Sequence, residues 1–169
     1  MISDPTAALE VRLITADEYV AAGNLVVDAY ITGGILSDDR GYDRILRDIE
    51  GRTRAAFVLV AVLDGQVVGT ATIALAGSEH SEIALESESE FRYMGVRPDV
   101  WGRGIGSALV AASEVQARQA GANSVVISVI EHNVAGLAMY EKSGFKRLPE
   151  RDWSPHEDIR LLVLRKALV

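Results

Sequence analysis

The sequence contains no cysteine. Disulfides, thiolate–metal sites and covalent cysteine intermediates are therefore excluded. No apolar run approaches the ~20 residues that a membrane-spanning helix needs. The first residues, Met1-Ile2-Ser3-Asp4-Pro5, carry an early acid and no apolar core. They do not read as a secretory signal, so a cytoplasmic protein is expected. Histidine is scarce: His80, His132 and His156 are scattered without metal-ligand spacing, and no metal is expected. Positive charge is short too. Lys and Arg number 17 against 24 Asp and Glu, a net charge of −7, which argues against a nucleic-acid partner. Internal repeats, low-complexity tracts and linkers are missing as well.

What is present suits a globular fold. The 169 residues are 49% hydrophobic and 24% charged, enough to bury a core in a single domain over residues 1–169. Leu9 to Ile14 alternates and reads as a strand. Thr15-Ala16-Asp17-Glu18 is a helix start, and helical periodicity follows to about Ile31. A second helix is expected from Tyr42 to about Ile49, ended by Gly51. Ala56–Leu63 and Val67–Leu75 read as strands joined by the hairpin signal Asp64-Gly65. A polar, acidic loop follows, and then a fourth strand, Phe91–Val96. A helix is expected over Ser107–Gln119, a β-branched strand over Ser124–Ile130, and a helix from Asn133 to Ser143 ended by Gly144. Phe145–Leu148 and Ile159–Lys166 complete the set as two last strands.

The most informative stretch is Val96-Arg97-Pro98-Asp99-Val100-Trp101-Gly102-Arg103-Gly104-Ile105-Gly106-Ser107-Ala108-Leu109. Three alternating glycines leave the backbone amides bare at a helix start. The first N–H groups of a helix lack partners and carry about half a positive charge. Together these features make a phosphate seat. A P-loop needs a Lys-Ser/Thr pair after its last glycine, and here Ser107-Ala108 follows. A dinucleotide fingerprint needs its glycines directly after the first strand. Here other strands come earlier, and Arg97 to Trp101 intervene.

The pattern Val-x-Pro-x-x-x-x-x-Gly-x-Gly-x-x-Leu resembles the acyl-CoA-binding motif of the GNAT superfamily of N-acetyltransferases. Gly104 and Gly106 fall on its two glycines. Trp101 stands where the family usually has Gln or Arg, which leaves Arg103 as the nearest cation, with Arg97 close by. Asn133-Val-Ala-Gly-Leu-Ala-Met-Tyr140-Glu-Lys-Ser-Gly144-Phe145 is similar to the family's second signature, so the motifs together span about residues 90–147. The resemblance implies a mixed α/β fold with helices on both faces. Its sheet would be mostly antiparallel and splayed between the fourth and fifth strands, and the pantetheine arm would enter the splay. It implies acetyl-CoA as co-substrate and no metal. The cofactor residues would be Met94, Gly95, Val96, Trp101, Gly102, Arg103, Gly104, Ile105, Gly106, Ser107, Asn133 and Tyr140. Gly95 would serve a bulge or a close backbone approach, or be a small residue tolerated in a strand. Coenzyme A and the chain are both anionic, but charge is screened beyond ~8 Å, so local donors decide.

Acetyl transfer to an amine needs a base, an electrophilic partner for the carbonyl, and an acid for the leaving thiolate. Glu90 is the candidate base. Alternation puts Glu90, Arg92, Met94 and Val96 on one strand face, opposite Phe91 and Tyr93. The competing reading is a solvated carboxylate. Tyr140 is the candidate acid, lying two helical turns after Asn133 on the same helix face. The competing reading is a core aromatic. Glu79, Glu82, Glu86, Glu88 and Glu90 make an acidic run that reads as a solvated, mobile surface or as a lure for a cationic amine. From the resemblance, Tyr30, Leu36, Tyr42 and Trp153 would line the acceptor site. The expected function is an acetyl-CoA-dependent N-acetyltransferase acting on a small-molecule or peptide amine in a ternary complex. A non-catalytic acyl-CoA-binding module is the alternative. No membrane partner is expected, and a homodimer stays open.

Overall fold

The computed structural model describes residues 8–36 and 41–169. Met1 to Pro5, read above for a leader, lie outside those residues. β1 (Glu10–Leu13) leads into Thr15, whose amide donates to Glu18 Oε2 at 2.9 Å. Arg12 grips that carboxylate at 2.7 and 2.9 Å, and its hydrogen bonds hold the Glu18 carboxyl at about 2. Helix α1 (Tyr19–Thr32) follows, then α2 (Tyr42–Arg47). Gly51 does not end that second helix. The chain breaks at Asp48 and restarts as α3 (Ile49–Thr53). The Asp48 side chain accepts from the Gly51 amide at 2.9 Å. A Cβ on Gly51 would collide with that carboxylate, so glycine is the cap's requirement rather than a stop signal.

β2 (Phe57–Leu63) and β3 (Gln66–Leu75) form the expected hairpin. β4 (Glu88–Val96) begins three residues before the expected Phe91 and leads to α4 (Ile105–Gln119). Then come β5 (Ser124–Ile130), α5 (Val134–Lys142), β6 (Lys146–Arg147), β7 (Trp153–His156) and β8 (Ile159–Ala167). β7 has no counterpart in the sequence reading. The strand order is β1-β2-β3-β4-β5-β8-β6, with β7 also on β8. Every pairing is antiparallel except β4 with β5. Helices cover both faces. Val26, Val27 and Leu46 gather around Tyr93 on one side, while Ile105, Leu109 and Tyr140 pack on Phe91 on the other. Among the described residues no helix is long and apolar enough to cross a membrane.

The parallel pair is the feature that shapes the rest. β4 and β5 pair only from Glu88↔Ser124 to Glu90↔Val126. Beyond that point β5 stays with β8 as far as Ile130↔Leu161, and β4 stays with β3 as far as Val96↔Gly69. Each strand follows its outer neighbour, so the sheet opens between them.

A bulge in β4 corrects the strict alternation expected of this strand. The register runs Thr72↔Arg92 and then Thr70↔Gly95, so Tyr93 and Met94 together face Ala71. The extra residue turns the pleat over. Glu90, Arg92 and Tyr93 therefore lie on the α1–α3 side, and Phe91, Met94 and Val96 on the α4–α5 side. The bulge sits at Tyr93–Met94, not at Gly95. Gly95 serves close approach, because a Cβ there would stand 2.9 Å from the Val26 backbone of α1.

Candidate functional site

The site begins at the start of α4. Gly102 and Gly104 adopt φ +78° and +80°, and a Cβ on either would touch nothing within 4 Å. Backbone conformation, not crowding, calls for glycine at both. Gly104 is the N-cap residue of α4 and offers no side chain to the free amides. Among the described residues, no amide from Gly102 to Ser107 donates to a backbone carbonyl; the first to do so is Ala108, to Gly104. A run of unclaimed N–H groups on a helix of 15 residues is an anion seat. Ile105 is buried, so only its amide can take part, while Arg103 and Ser107 are exposed. Arg97 is tied to Asp99 at 2.6 Å and Gln66 at 3.0 Å and contributes less than its place in the sequence suggests.

The open edge of β4 lies next to that seat. The Arg97 amide donates to Val68 on β3 at 2.8 Å, so by strand alternation the Val96 carbonyl points to the edge that β5 has left. Trp101 reaches it: the indole N–H donates to Val96 O at 2.6 Å while the side chain stays half exposed. Gly95 pairs with Thr70 on β3 and so turns its polar groups away from the opening.

Tyr140 sits deeper. Its hydroxyl donates to Met94 Sδ at 3.9 Å, and its ring lies edge-on to Phe91 and Phe145 with centroids 6.0 and 5.8 Å away. Burial pushes the phenol well above its ordinary value. Asn133 caps α5, its side chain accepting from the Gly136 amide at 3.0 Å. Met139 and Met94 both come up against Gly106, so α4, α5 and β4 meet at this point.

Glu90 is placed differently from its expected position beside the cofactor residues. It is 1% exposed, and Oε2 accepts from Ser81 Oγ at 3.0 Å and from the amides of Glu82 and Ile83 at 2.6 and 3.0 Å. Oε1 lies 3.6 Å from Arg92. Glu88 is likewise buried, held by Arg151 and Arg165. The acidic run is therefore not simply a solvated face: two of its carboxylates fasten the loop and the sheet from within.

On the α1–α3 side, Tyr30, Leu36 and Tyr42 gather beside Tyr93. The ring pairs Tyr30–Tyr42 and Tyr42–Tyr93 are 6.5 and 6.4 Å apart. Burial raises both phenols, Tyr42 to about 12. Trp153 stands on the other arm, donating to Ser128 Oγ of β5 at 3.0 Å. His132 Nε2 lies 3.1 Å from Gly34 O and ties the end of β5 to the segment after α1. Among the described residues no three His, Asp or Glu side chains gather to hold a metal.

Two residues escaped the sequence reading. Tyr93 has φ +53° in the middle of a strand, which costs an L-residue about 1–2 kcal/mol. Two guanidiniums lie over its ring, Arg52 at 4.5 Å and Arg92 at 4.4 Å from the centroid. A cation over an aromatic face contributes ~0.5–2 kcal/mol, more when dry, so two suffice to offset the strain. Arg52 is 1% exposed, donates to the carbonyls of Ile45 and Leu46, and leaves Nε without a partner. The spacing Phe91, Tyr93, Met94, Val96 breaks period two, and that break was the available signal for the bulge. No local pattern announces a buried arginine.

Comparison with known proteins bears on what this arrangement does. The model of the acetyltransferase (GNAT) family matches residues 24–145. The mycothiol acetyltransferase of Salinispora tropica is 33% identical over 108 residues, 63% of this chain and 32% of that protein. The one from Geodermatophilus obscurus is 37% identical over 62 residues, 37% of this chain and 20% of that protein. The chain thus spans a third or less of these relatives' length. Among solved structures, the PaiA N-acetyltransferase of Thermoplasma acidophilum, in complex with coenzyme A, superposes with a TM-score of 0.75 at 17% identity. The match covers 95% of this chain and 99% of that one. The yncA structure from Salmonella typhimurium, with acetyl-CoA, gives 0.70 at 21% identity over 96% and 95% of the two chains.

Proposed function

The chain belongs to the GNAT acetyltransferase family, and from that premise we propose that it transfers the acetyl group of acetyl-CoA to a primary amine of a small molecule or peptide, by direct attack in a ternary complex. The carrying observation is the gap between β4 and β5, with an anion seat at one end and a buried phenol beside its vertex. Acetyl-CoA is the co-substrate. The amides of Gly102 to Ser107 would hold its pyrophosphate. Met94, Val96 and Trp101 would flank its arm, and Asn133 would fix α5, which carries Tyr140. The amine nitrogen attacks the thioester carbon, the C–S bond breaks, and its electron pair leaves on sulfur, to which Tyr140 donates. The proton lost by the amine passes to water, and Tyr140 regains a proton from solvent before the next turnover. Tyr30, Leu36, Tyr42 and Trp153 would receive the acceptor. Free-thiol release from acetyl-CoA across a panel of amines tests the reading. A chain that binds acetyl-CoA but releases thiol with no amine would instead be an acyl-CoA-binding module.

Glu90 has a different part in this scheme. One oxygen of this buried carboxylate already accepts three donors from the chain, and we assign it to holding residues 81–83. Glu90→Gln should cost about 2–3 kcal/mol of stability, since charge-assisted bonds to buried donors are lost. The effect on kcat should stay below about tenfold. Thermal melts and initial rates check both, and a loss of kcat of ~10³-fold in a stable variant would restore Glu90 as the base.

Trp101 offers a direct signal of binding. The arm of acetyl-CoA carries amide N–H groups that compete with the indole for Val96 O. Titration with coenzyme A should therefore shift tryptophan emission. The shift should vanish in Trp101→Phe and survive in Trp153→Phe, the chain's other tryptophan.

A further inference from the structure

We infer that Arg52 is a positioning residue for acetyl transfer: together with Arg92 it clamps the Tyr93 ring and so holds the β4 bulge in the shape that presents an unpaired backbone amide at the vertex of the open sheet. The inference rests on the acetyltransferase reading. Among the described residues three non-glycines have positive φ: Asp64 is in the hairpin turn, Ser87 precedes β4, and Tyr93 alone of these lies within a strand. An aromatic residue held there needs something to hold it, and such strain gathers at working sites. The register sets Tyr93 and Met94 together against the single residue Ala71 on β3, and β5 has stopped pairing three residues before Tyr93, at Glu90↔Val126. The bulge thus lies beyond the last pair with β5, and its extra residue is left out of the β3 ladder, beside Met94 Sδ, which the Tyr140 hydroxyl touches. A fixed N–H at that point can stabilise the charge that develops on a thioester oxygen under attack.

Arg52 has no other evident purpose as a cation. Among the described residues no carboxylate lies within ion-pair distance of it. It bonds two carbonyls at the end of α2, and burial works against its charge. An apolar chain of similar length would fill the same space. What methionine could not supply is a second flat cation on the Tyr93 ring, in addition to Arg92.

The test uses the full chain and acetyl-CoA carrying ¹³C at the thioester carbonyl. In the wild type the carbonyl stretch of bound acetyl-CoA should move to lower wavenumber than in solution. In Arg52→Met it should return toward the solution position, with the affinity for acetyl-CoA little changed and kcat down about tenfold or more. Adding Tyr93→Gly should recover most of both, because glycine adopts the left-handed region without a clamp. If Arg52→Met does not fold, the same contrast is read at position 93 alone. Tyr93→Asn, which tolerates positive φ, should keep the band shift and about tenfold more kcat than β-branched Tyr93→Val. An unshifted band in the wild type, an Arg52→Met variant with band and kcat intact, a glycine that fails to rescue, or equal Asn and Val variants would each overturn the proposal. The band needs no acceptor, so a wild type that shifts it but acetylates no amine would sink the functional reading and leave the clamp standing.

Discussion

Gly104→Val should raise the dissociation constant for acetyl-CoA about 10²-fold while the protein stays folded. Crowding is not the reason, since a Cβ at this position meets nothing within 4 Å. The reason is φ +80° at the residue that opens α4. A β-branched residue is a genuine outlier there, and the chain relieves it by rotating the peptide units on either side. Those units carry the amides of the seat. A hydrogen bond to a charged group contributes ~1.5–3 kcal/mol, so losing the aim of one or two yields the stated factor. The valine also stands in the approach path of the phosphates. Gly121→Val is the control, because it meets the same backbone demand, φ +89° with nothing within 4 Å, at the far end of the helix. It should lower the melting temperature without changing affinity. Calorimetric titration decides the matter: unchanged affinity in folded Gly104→Val would put the pyrophosphate elsewhere.

Tyr140→Phe should lower kcat about 10²-fold, roughly 2.7 kcal/mol of barrier, with acetyl-CoA affinity nearly unchanged. The phenylalanine ring keeps the edge-on contacts with Phe91 and Phe145, so only the hydroxyl is lost. Burial lifts the phenol, which makes full proton transfer to sulfur harder but keeps the donor loaded. The sign is plain: with its value raised above the ordinary ~10, Tyr140 is protonated at neutral pH and well beyond it. The pH profile of kcat should show no falling limb from Tyr140 below about pH 10. If Tyr140 only fills the core, Tyr140→Phe is silent in rate, while Tyr140→Ala costs about 3–5 kcal/mol of stability.

The sequence displays periodic features well and paired ones poorly. The Asp64-Gly65 hairpin, the helix start at Thr15–Glu18 and the glycine-rich entry to α4 rest on local chemistry and stand where the sequence puts them. Gly51 reads as a stop because a glycine after a helix is ambiguous. Only the folded chain shows it making room for the Asp48 cap. Glu88 is hard to place from sequence because five nearby acids look like solvated charge, and its partners Arg151 and Arg165 are distant along the chain. Glu90 reads as a candidate base because nothing local shows that the 81–83 loop folds back onto its carboxylate. Tyr30, Leu36 and Tyr42 could be named as acceptor candidates from the resemblance, and the broken period Phe91, Tyr93, Met94, Val96 signals the bulge, whereas the buried Arg52 depends on tertiary packing that no local pattern encodes.

A sheet that parts in the middle leaves two rows of bare backbone groups, the template on which strands from other molecules assemble. Here the hazard is contained by placement. The two bare rows face each other across a gap that closes at Glu90↔Val126, so no strand can lie along either without entering between helices. One row is kinked by the bulge, and the Trp101 indole occupies one of its carbonyls. What the gap admits is a narrow, flexible chain with a few amides of its own. The same geometry that keeps copies of the protein from stacking thus limits what can enter, and the protection against aggregation doubles as a filter on ligand width.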